Sequence, residues 1–366
     1  MKKSTKSLYI HIPFCKHICS YCDFCKMYYN EELVDKYLES LDKELNSIYK
    51  EEELDTIYIG GGTPSSLSIK QLEKLFSILG KVKTSSNLEF TFEANINDIN
   101  SDLLDALVKN KVNRISIGIE TVNPKYLKLM ERNHTKEEVE EKINLVKKYF
   151  FNINVDFMYG FNNQTIEELK GDLDFFKDLD VPHISIYSLI LEPNTKLFIN
   201  NMTPLDEEIE SNMYFYIINY LKDLGYNHYE VSNFSKSGYE SRHNLVYWNN
   251  EHYYGMGLGA SGYIDNIRYT NTRSINKYLL GNYVLDKTIV NEQINMENEM
   301  ILGLRKIEGV NKNDFFKKFG KSIEEVFDVD NLIKDKLLVD KDGYLFIPID
   351  KMYLQNSILV NFIKND

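Results

Sequence analysis

All four cysteines of the 366-residue chain fall between Cys15 and Cys25. Chance would crowd them this closely in only about one sequence in 10⁴ of this length and cysteine content. A disulfide framework spreads its cysteines to staple distant loops, which neighbours cannot do. Structural zinc usually draws on ligand pairs that recur further along the chain, and none recurs here. Cys15, Cys19 and Cys22, with three and then two residues between them, suit three corners of an iron–sulfur cube and leave one iron open to another ligand. Zinc and inert clustering remain the alternatives at this point. Cys25 reads as a spare thiol, not a ligand.

The elements that must position this loop follow from the pattern around it. An apolar strand over 7–12 ends where the loop begins, which is where α/β folds build sites. His11, inside that strand, reads as a hydrogen-bonded core residue. Leu33, Val34, Tyr37, Leu38, Leu41, Leu45 and Ile48 recur with a helical period over 31–49. A strand at 54–59 runs into Gly60-Gly61-Gly62-Thr63-Pro64-Ser65, either a tight turn or a backbone cradle for a ligand. Strands are then expected at 88–95, 114–120, 153–159 and 183–191. Helices are expected at 68–79, 102–109, 124–130, 137–149 and 166–179. Such alternation calls for a parallel sheet with right-handed crossovers. Six strands fall short of the eight of a closed barrel, so the α/β core, over 1–235, is expected to be a partial (β/α)6 barrel with an open side. Glu93, Glu120 and Asp156 fall near strand ends, with Arg132 in a following segment. Singly these are solvated charges; as a set they suit ribose hydroxyls, a sulfonium-bearing chain and a carboxylate.

Beyond the barrel, 192–195 reads as a turn, 206–224 as an amphipathic helix and 229–234 as a strand. A connecting region over 236–290 holds the only tryptophan, Trp248, in Arg242-His243-Asn244-Leu245-Val246-Tyr247-Trp248, followed by a glycine-rich run at 253–262. It reads either as a surface flap with an aromatic anchor or as a place where His243 ligates, or stacks on, a flat macrocycle. The end of the chain, 291–366, is expected to form a small helical, winged domain: helices at 298–304, 312–319, 323–327, 331–336 and 351–363, with a hairpin of 337–340 and 344–348 turning through Lys341-Asp342-Gly343. A net charge of −12 with no Lys/Arg tract argues against nucleic acid as a partner. No apolar run approaches the roughly 20 residues that span a bilayer, and the Met1-Lys2-Lys3 start precedes no signal-peptide core. The cytoplasm is therefore the expected compartment.

The CxxxCxxC loop resembles that of radical S-adenosylmethionine enzymes. Tyr9 to Cys15, Tyr21-Cys22-Asp23-Phe24, Gly60 to Pro64, Glu93-Ala94-Asn95, Asn113 to Gly118, Asp156 to Gly160 and Gly303-Leu304-Arg305 resemble, more narrowly, the oxygen-independent coproporphyrinogen III oxidase-like family. Its dehydrogenase branch has a longer N-terminal arm and a fourth cysteine two places after the third, where this chain has Phe24. Its heme chaperone (HemW-type) branch has Phe there and a His-Asn-x-x-Tyr-Trp motif, which His243 to Trp248 matches. The resemblance implies that Cys15, Cys19 and Cys22 hold a [4Fe-4S] cluster. It implies that Tyr9, Gly61, Thr63, Glu93, Glu120, Arg132 and Asp156 line an S-adenosyl-L-methionine site, and that His243 contacts heme. The implied activity is heme capture and delivery to respiratory proteins, with an electron donor such as a flavodoxin or ferredoxin. The alternative is radical decarboxylation of coproporphyrinogen propionates; no catalytic residue is assigned. Glu120 departs from a usual Gln, Ile96 from a usual Pro, Phe161-Asn162-Asn163 from a Leu-Pro-Gly-like run, and Ser261 from a frequent His.

Overall fold

The computed structural model describes residues 5–363, so the Met1-Lys2-Lys3 start lies outside the described residues. The chain gathers into two compact units that alternate along the sequence: residues up to 213 with 252–288, and 214–251 with the residues from 289 onward.

The first unit is built on strands β1 (Ser7–Ile12), β2 (Leu54–Gly61), β3 (Thr84–Asn95), β4 (Arg114–Glu120), β5 (Asn152–Tyr159) and β6 (His183–Ser188). They pair in chain order, all parallel. Between them run α1 (Glu31–Ile48), α2 (Ile69–Leu79), α3 (Ser101–Lys109), α4 (Pro124–Leu129), α5 (Lys136–Val146) and α6 (Ile166–Asp178). Local chemistry starts these helices. Asn30 caps α1 by accepting from the Leu33 amide. Ser68 with Gln71, Thr135 with Glu138 and Thr165 with Glu168 form capping boxes at α2, α5 and α6, so backbone donors that the helices leave open find side-chain acceptors.

The strands alternate strictly. Leu8, Ile10 and Ile12, Ile57 and Ile59, Phe90 and Phe92, Ile115 and Ile117, Ile153, Val155 and Phe157, and Ile184 and Ile186 are all buried, on the face that the helices cover. Tyr9, Tyr58, Glu93, Ser116, Gly118, Asn154, Asp156, His183 and Ser185 occupy the other face. Pairing aligns these too: Tyr9 with Tyr58, Glu93 with Ser116, Gly118 with Asp156, and Asp156 with Ser185. One face of the sheet is thus an apolar layer and the other a polar, aromatic interior.

The expected partial barrel is present, and the sheet is not closed. A further parallel strand, β7 (Tyr254–Met256), flanks β1 with Leu8 opposite Tyr254 and Ile10 opposite Met256. The glycine-rich run is therefore not a surface flap: Tyr254, Met256 and Leu258 are fully buried. Its glycines serve close packing within the chain. Gly257 has φ +98°, and a Cβ there would meet the His11 carbonyl at 2.4 Å and the Tyr37 hydroxyl at 2.5 Å. Glu44 of α1 ties this segment down by accepting from the Gly257 amide (2.9 Å), Asn271 Nδ2 (2.6 Å) and the Tyr278 hydroxyl. Burial raises the Glu44 pKa against these hydrogen bonds.

In the second unit the segment expected as one strand over 229–234 is a hairpin, Asn227–Glu230 and Asn233–Ser235, with an irregularity between Asn233 and Phe234. Arg242–Trp248 is a helix capped by Ser241. The helix expected from 298 begins earlier, as Glu292–Gly303, because Asn291 supplies a cap. The wing is present as Val339–Lys341 and Tyr344–Phe346, joined by Asp342 and Gly343 at φ +54° and +81°, the left-handed pair that a tight hairpin needs. The helix expected over 351–363 is instead broken into 3₁₀ turns at Ile349–Leu354 and Val360–Phe362 around a short α segment, Gln355–Leu359.

Candidate functional site

The cysteine loop leaves β1 at the sheet's carboxyl edge and is anchored from several sides. The Ser20 amide donates to the Met130 carbonyl, and the Ser20 hydroxyl to that of Leu129. Arg273 donates to the Asp23 carbonyl. His11, buried, bonds Tyr9 through Nδ1 (2.9 Å) and the Cys25 carbonyl through Nε2 (2.7 Å); it is the hydrogen-bonded core residue expected. All four cysteines are free. Cys15 is buried, receives the Thr63 hydroxyl at 3.3 Å, and has its pKa pushed to about 11 by burial. Burial also raises Cys22 and Cys25. Among the described residues no three His, Cys, Asp or Glu side chains converge on a point one ion could occupy. The donor set fits a cluster: three thiols in one short loop, each able to lose its proton to a metal.

The glycine turn lies against this loop. A Cβ on Gly62 would stand 3.0 Å from Cys15 Sγ, and one on Gly60 2.7 Å from the Glu93 carboxylate. Gly61 has φ +118° and donates its amide to Glu93 Oε2 at 2.9 Å. Glu93 also accepts from Tyr58 at 2.7 Å. Asp156 is braced by Asn154 Nδ2 at 2.9 Å, and Asn154 in turn binds Ser116, His183 and Ser185. Burial, then the charges of Glu120 and Glu93, raises the Asp156 pKa to about 8. Burial likewise raises Glu93 and Glu120. Three carboxylates held in a poorly solvated space resist ionising together, and a cation placed among them would relieve that.

Arg132 completes the site. Its Nη1 lies 3.4 Å from Glu120 Oε1 and 3.7 Å from Cys19 Sγ, and its Nη2 donates to the Gly118 carbonyl. Burial opposes its charge, but Tyr21, Glu120 and Cys19 hold the proton on more firmly than usual. Its Nε–H is buried without a partner, a spare donor of the kind that a carboxylate accepts.

The structure therefore brings together Tyr9, Cys15, Cys19, Cys22, Gly61, Thr63, Glu93, Glu120, Arg132 and Asp156 within the first unit. His243 belongs to the second unit, on helix Arg242–Trp248, where it is fully buried with Nε2 held by the Tyr247 hydroxyl at 2.8 Å. In that unit Trp248 carries the Arg305 guanidinium at 5.8 Å. Ser261, in the first unit, is exposed and pairs with Thr270 at 3.1 Å. Tyr58, Asn154, His183 and Ser185 were not singled out from the sequence. The signal for them was available, since each stands beside a buried aliphatic residue of its strand, Ile57, Ile153 or Ile184.

The chain is similar to known proteins along its whole length. Residues 9–176 match the radical SAM superfamily and residues 292–348 the HemN C-terminal domain. The chain is 40% identical to the heme chaperone HemW of Lactococcus lactis, covering 100% of this chain and 99% of that one. It is 38% identical to the heme chaperone HemW of Bacillus subtilis, covering 98% and 99%. Among solved structures, coproporphyrinogen III oxidase (HemN) from Escherichia coli superposes with a TM-score of 0.87 over 98% of this chain and 90% of that one, at 20% identity. That last likeness is one of fold.

Proposed function

The chain belongs to the HemW heme chaperone family within the radical SAM superfamily, and on that premise we propose that it captures heme and delivers it to heme-requiring respiratory proteins. It does so as a carrier of a [4Fe-4S] cluster and S-adenosyl-L-methionine. The observation that carries the reading is the likeness to heme chaperones, which runs through the whole chain.

In this proposal Cys15, Cys19 and Cys22 hold three irons. The Gly61 turn, with Glu93 behind it, receives the amino end of S-adenosylmethionine, and the spare Nε–H of Arg132 receives its carboxylate. Asp156 and Glu120 would hold its ribose and sulfonium end, and Tyr9 would line the same site. When bound, the two groups supply one-electron radical chemistry. The chain's own contribution is to fix these groups and exclude water, through a polar interior walled by the apolar layer. A one-electron carrier such as a flavodoxin or ferredoxin is the proposed reductant. The proposed compartment is the cytoplasm, where thiols stay reduced for cluster uptake. No helix among the described residues is long and apolar enough to cross a membrane.

The test is an anaerobic comparison on cluster-loaded protein. A saturable Soret absorbance on heme titration, with no conversion of coproporphyrinogen III in the presence of S-adenosylmethionine and reductant, is expected. Multiple-turnover decarboxylation without saturable heme binding would replace this reading with the oxidase.

A further inference from the structure

Glu120 and Arg132 meet because the backbone is bent to make them meet. The pairing of β4 with β5 shifts register between Gly118 and Glu120, and Glu120 itself sits at φ +70°. Glu131, immediately before Arg132, sits at φ +57°. Neither is a glycine, and left-handed backbone is unfavourable for residues that carry a Cβ. Strain of this kind persists only where the surroundings impose it, and it clusters at functional sites.

What it achieves is specific. Tyr21 donates to Glu120 Oε1 at 3.1 Å, and Arg132 Nη1 approaches the same oxygen at 3.4 Å. The two ionic side chains are only 11% and 7% exposed. Gly118 leaves them room, since a Cβ there would lie 3.0 Å from Glu120 Oε1. The Gly118 carbonyl takes the other arm of the guanidinium fork. Held at two points, the fork presents Nη1 to Cys19 Sγ at 3.7 Å. Cys15, by contrast, receives the neutral hydroxyl of Thr63. One thiol of the loop is therefore matched to a fixed positive charge, and that charge is tethered to a carboxylate.

We propose that Arg132 is a positioning residue for the cluster, donating to the Cys19 sulfur and making the cluster easier to reduce, and that Glu120 aims the guanidinium and offsets part of its charge. The inference rests on the cluster assigned above. A donor and a positive charge beside a ligating sulfur favour the reduced, more negative cluster, and outer-shell partners of this kind tune metal sites. Confinement away from water strengthens the effect of both charges. Removing them should therefore move the midpoint potential in opposite directions.

The experiment is an anaerobic redox titration of the reconstituted full chain, followed by absorbance and electron paramagnetic resonance without S-adenosylmethionine, with iron counted for every variant. Arg132→Gln should disfavour cluster reduction about tenfold, and Glu120→Gln should favour it about tenfold, each roughly 59 mV for a one-electron couple. Arg132→Lys, which keeps the charge but not the fork, should fall between wild type and Arg132→Gln. A merely structural role would not give opposite signs. Should Arg132→Gln fail to fold, the near-isosteric Glu120→Gln, which still accepts from Tyr21, decides the matter by the sign of its shift. Potentials that move together, or not at all, at about four irons per chain would overturn the inference and leave the cluster reading standing. A wild-type chain that takes up no iron would overturn both.

Discussion

S-adenosylmethionine should displace a proton from the barrel interior as it binds, and Asp156 should be its principal source. Asp156 has a pKa of about 8, raised by burial and then by Glu120 and Glu93, so at neutral pH the ligand-free carboxyl is mostly protonated. The ligand places its positive sulfonium beside Asp156, and a cation there favours the ionised carboxylate. If Asp156 ionises fully on binding, affinity follows the fraction already ionised in the free protein. Between pH 6.5 and pH 8.0 that fraction grows roughly fifteenfold, or about 1.6 kcal/mol. The ligand's own α-amino group titrates near pH 7.7–8.0 and must be neutral to bind iron, so the diagnostic is a difference. Anaerobic calorimetry at one pH, in buffers of unlike ionisation enthalpy, counts released protons. Asp156→Asn should release nearly one proton fewer than wild type. Equal release from both proteins would refute Asp156 as the source. The same group works against the ligand-free fold as pH rises. From about pH 4, where an unfolded Asp ionises, to about pH 8, its folded pKa, the folded protein holds a proton that the unfolded chain has lost. Stability should therefore fall across that window, and Asp156→Asn should flatten the decline.

Alanine at Cys15, Cys19 or Cys22 should abolish cluster loading, whereas Cys25→Ala should retain about four irons per chain; iron and sulfide analysis decides, and loss in Cys25→Ala would reverse the ligand assignment. Glu44→Ala strands the Gly257 amide, Asn271 Nδ2 and the Tyr278 hydroxyl and should cost about 3 kcal/mol or more, read as a lowered urea midpoint; an unchanged midpoint would remove Glu44 as the tie between α1 and the segment around β7. Glu93→Ala takes the acceptor from the Gly61 amide and the Tyr58 hydroxyl and should weaken S-adenosylmethionine about ten- to a hundredfold; calorimetry giving wild-type affinity would take it out of the site. In His243→Ala the Soret band on heme addition should shrink or shift, with less quenching of Trp248 fluorescence; an identical titration would exclude His243 as a heme contact.

The order of strands and helices was legible because each signal is local. Aliphatic runs end at glycine or proline, and Ser68, Thr135 and Thr165 mark helix starts by their own hydrogen bonds. The cysteine loop stands out in the sequence because all four cysteines crowd between Cys15 and Cys25. β7 was not legible, since Tyr254-Gly255-Met256 is only three residues long with a glycine at its centre. It is a strand because β1 offers Leu8, Tyr9 and Ile10 as partners, which is tertiary information. Glu44, a charged residue in a helix of apolar period, is buried beneath three donors. A charge used as an acceptor inside the fold looks, in sequence, like a charge on its surface.

The site's supporting residues were hidden by a different cause. Strands buried on both faces usually read as continuous apolar runs, but these alternate: Thr91-Phe92-Glu93-Ala94-Asn95, Arg114-Ile115-Ser116-Ile117-Gly118, Asn152-Ile153-Asn154-Val155-Asp156 and His183-Ile184-Ser185-Ile186. Such alternation ordinarily means one face in water. Here six strands separated by helices forbid that reading, because the crossover helices cover the apolar face and the polar face can only turn inward. The two signals together imply a polar, hydrogen-bonded interior. Glu120 stands outside the pattern. Alternation continued from Arg114, Ser116 and Gly118 would put Glu120 on the interior face by parity alone, but the shift beyond Gly118 pairs it with Phe157 instead of Met158. Its approach to Arg132 then depends on a left-handed residue that no glycine announces, so this corner of the site had to be seen in three dimensions.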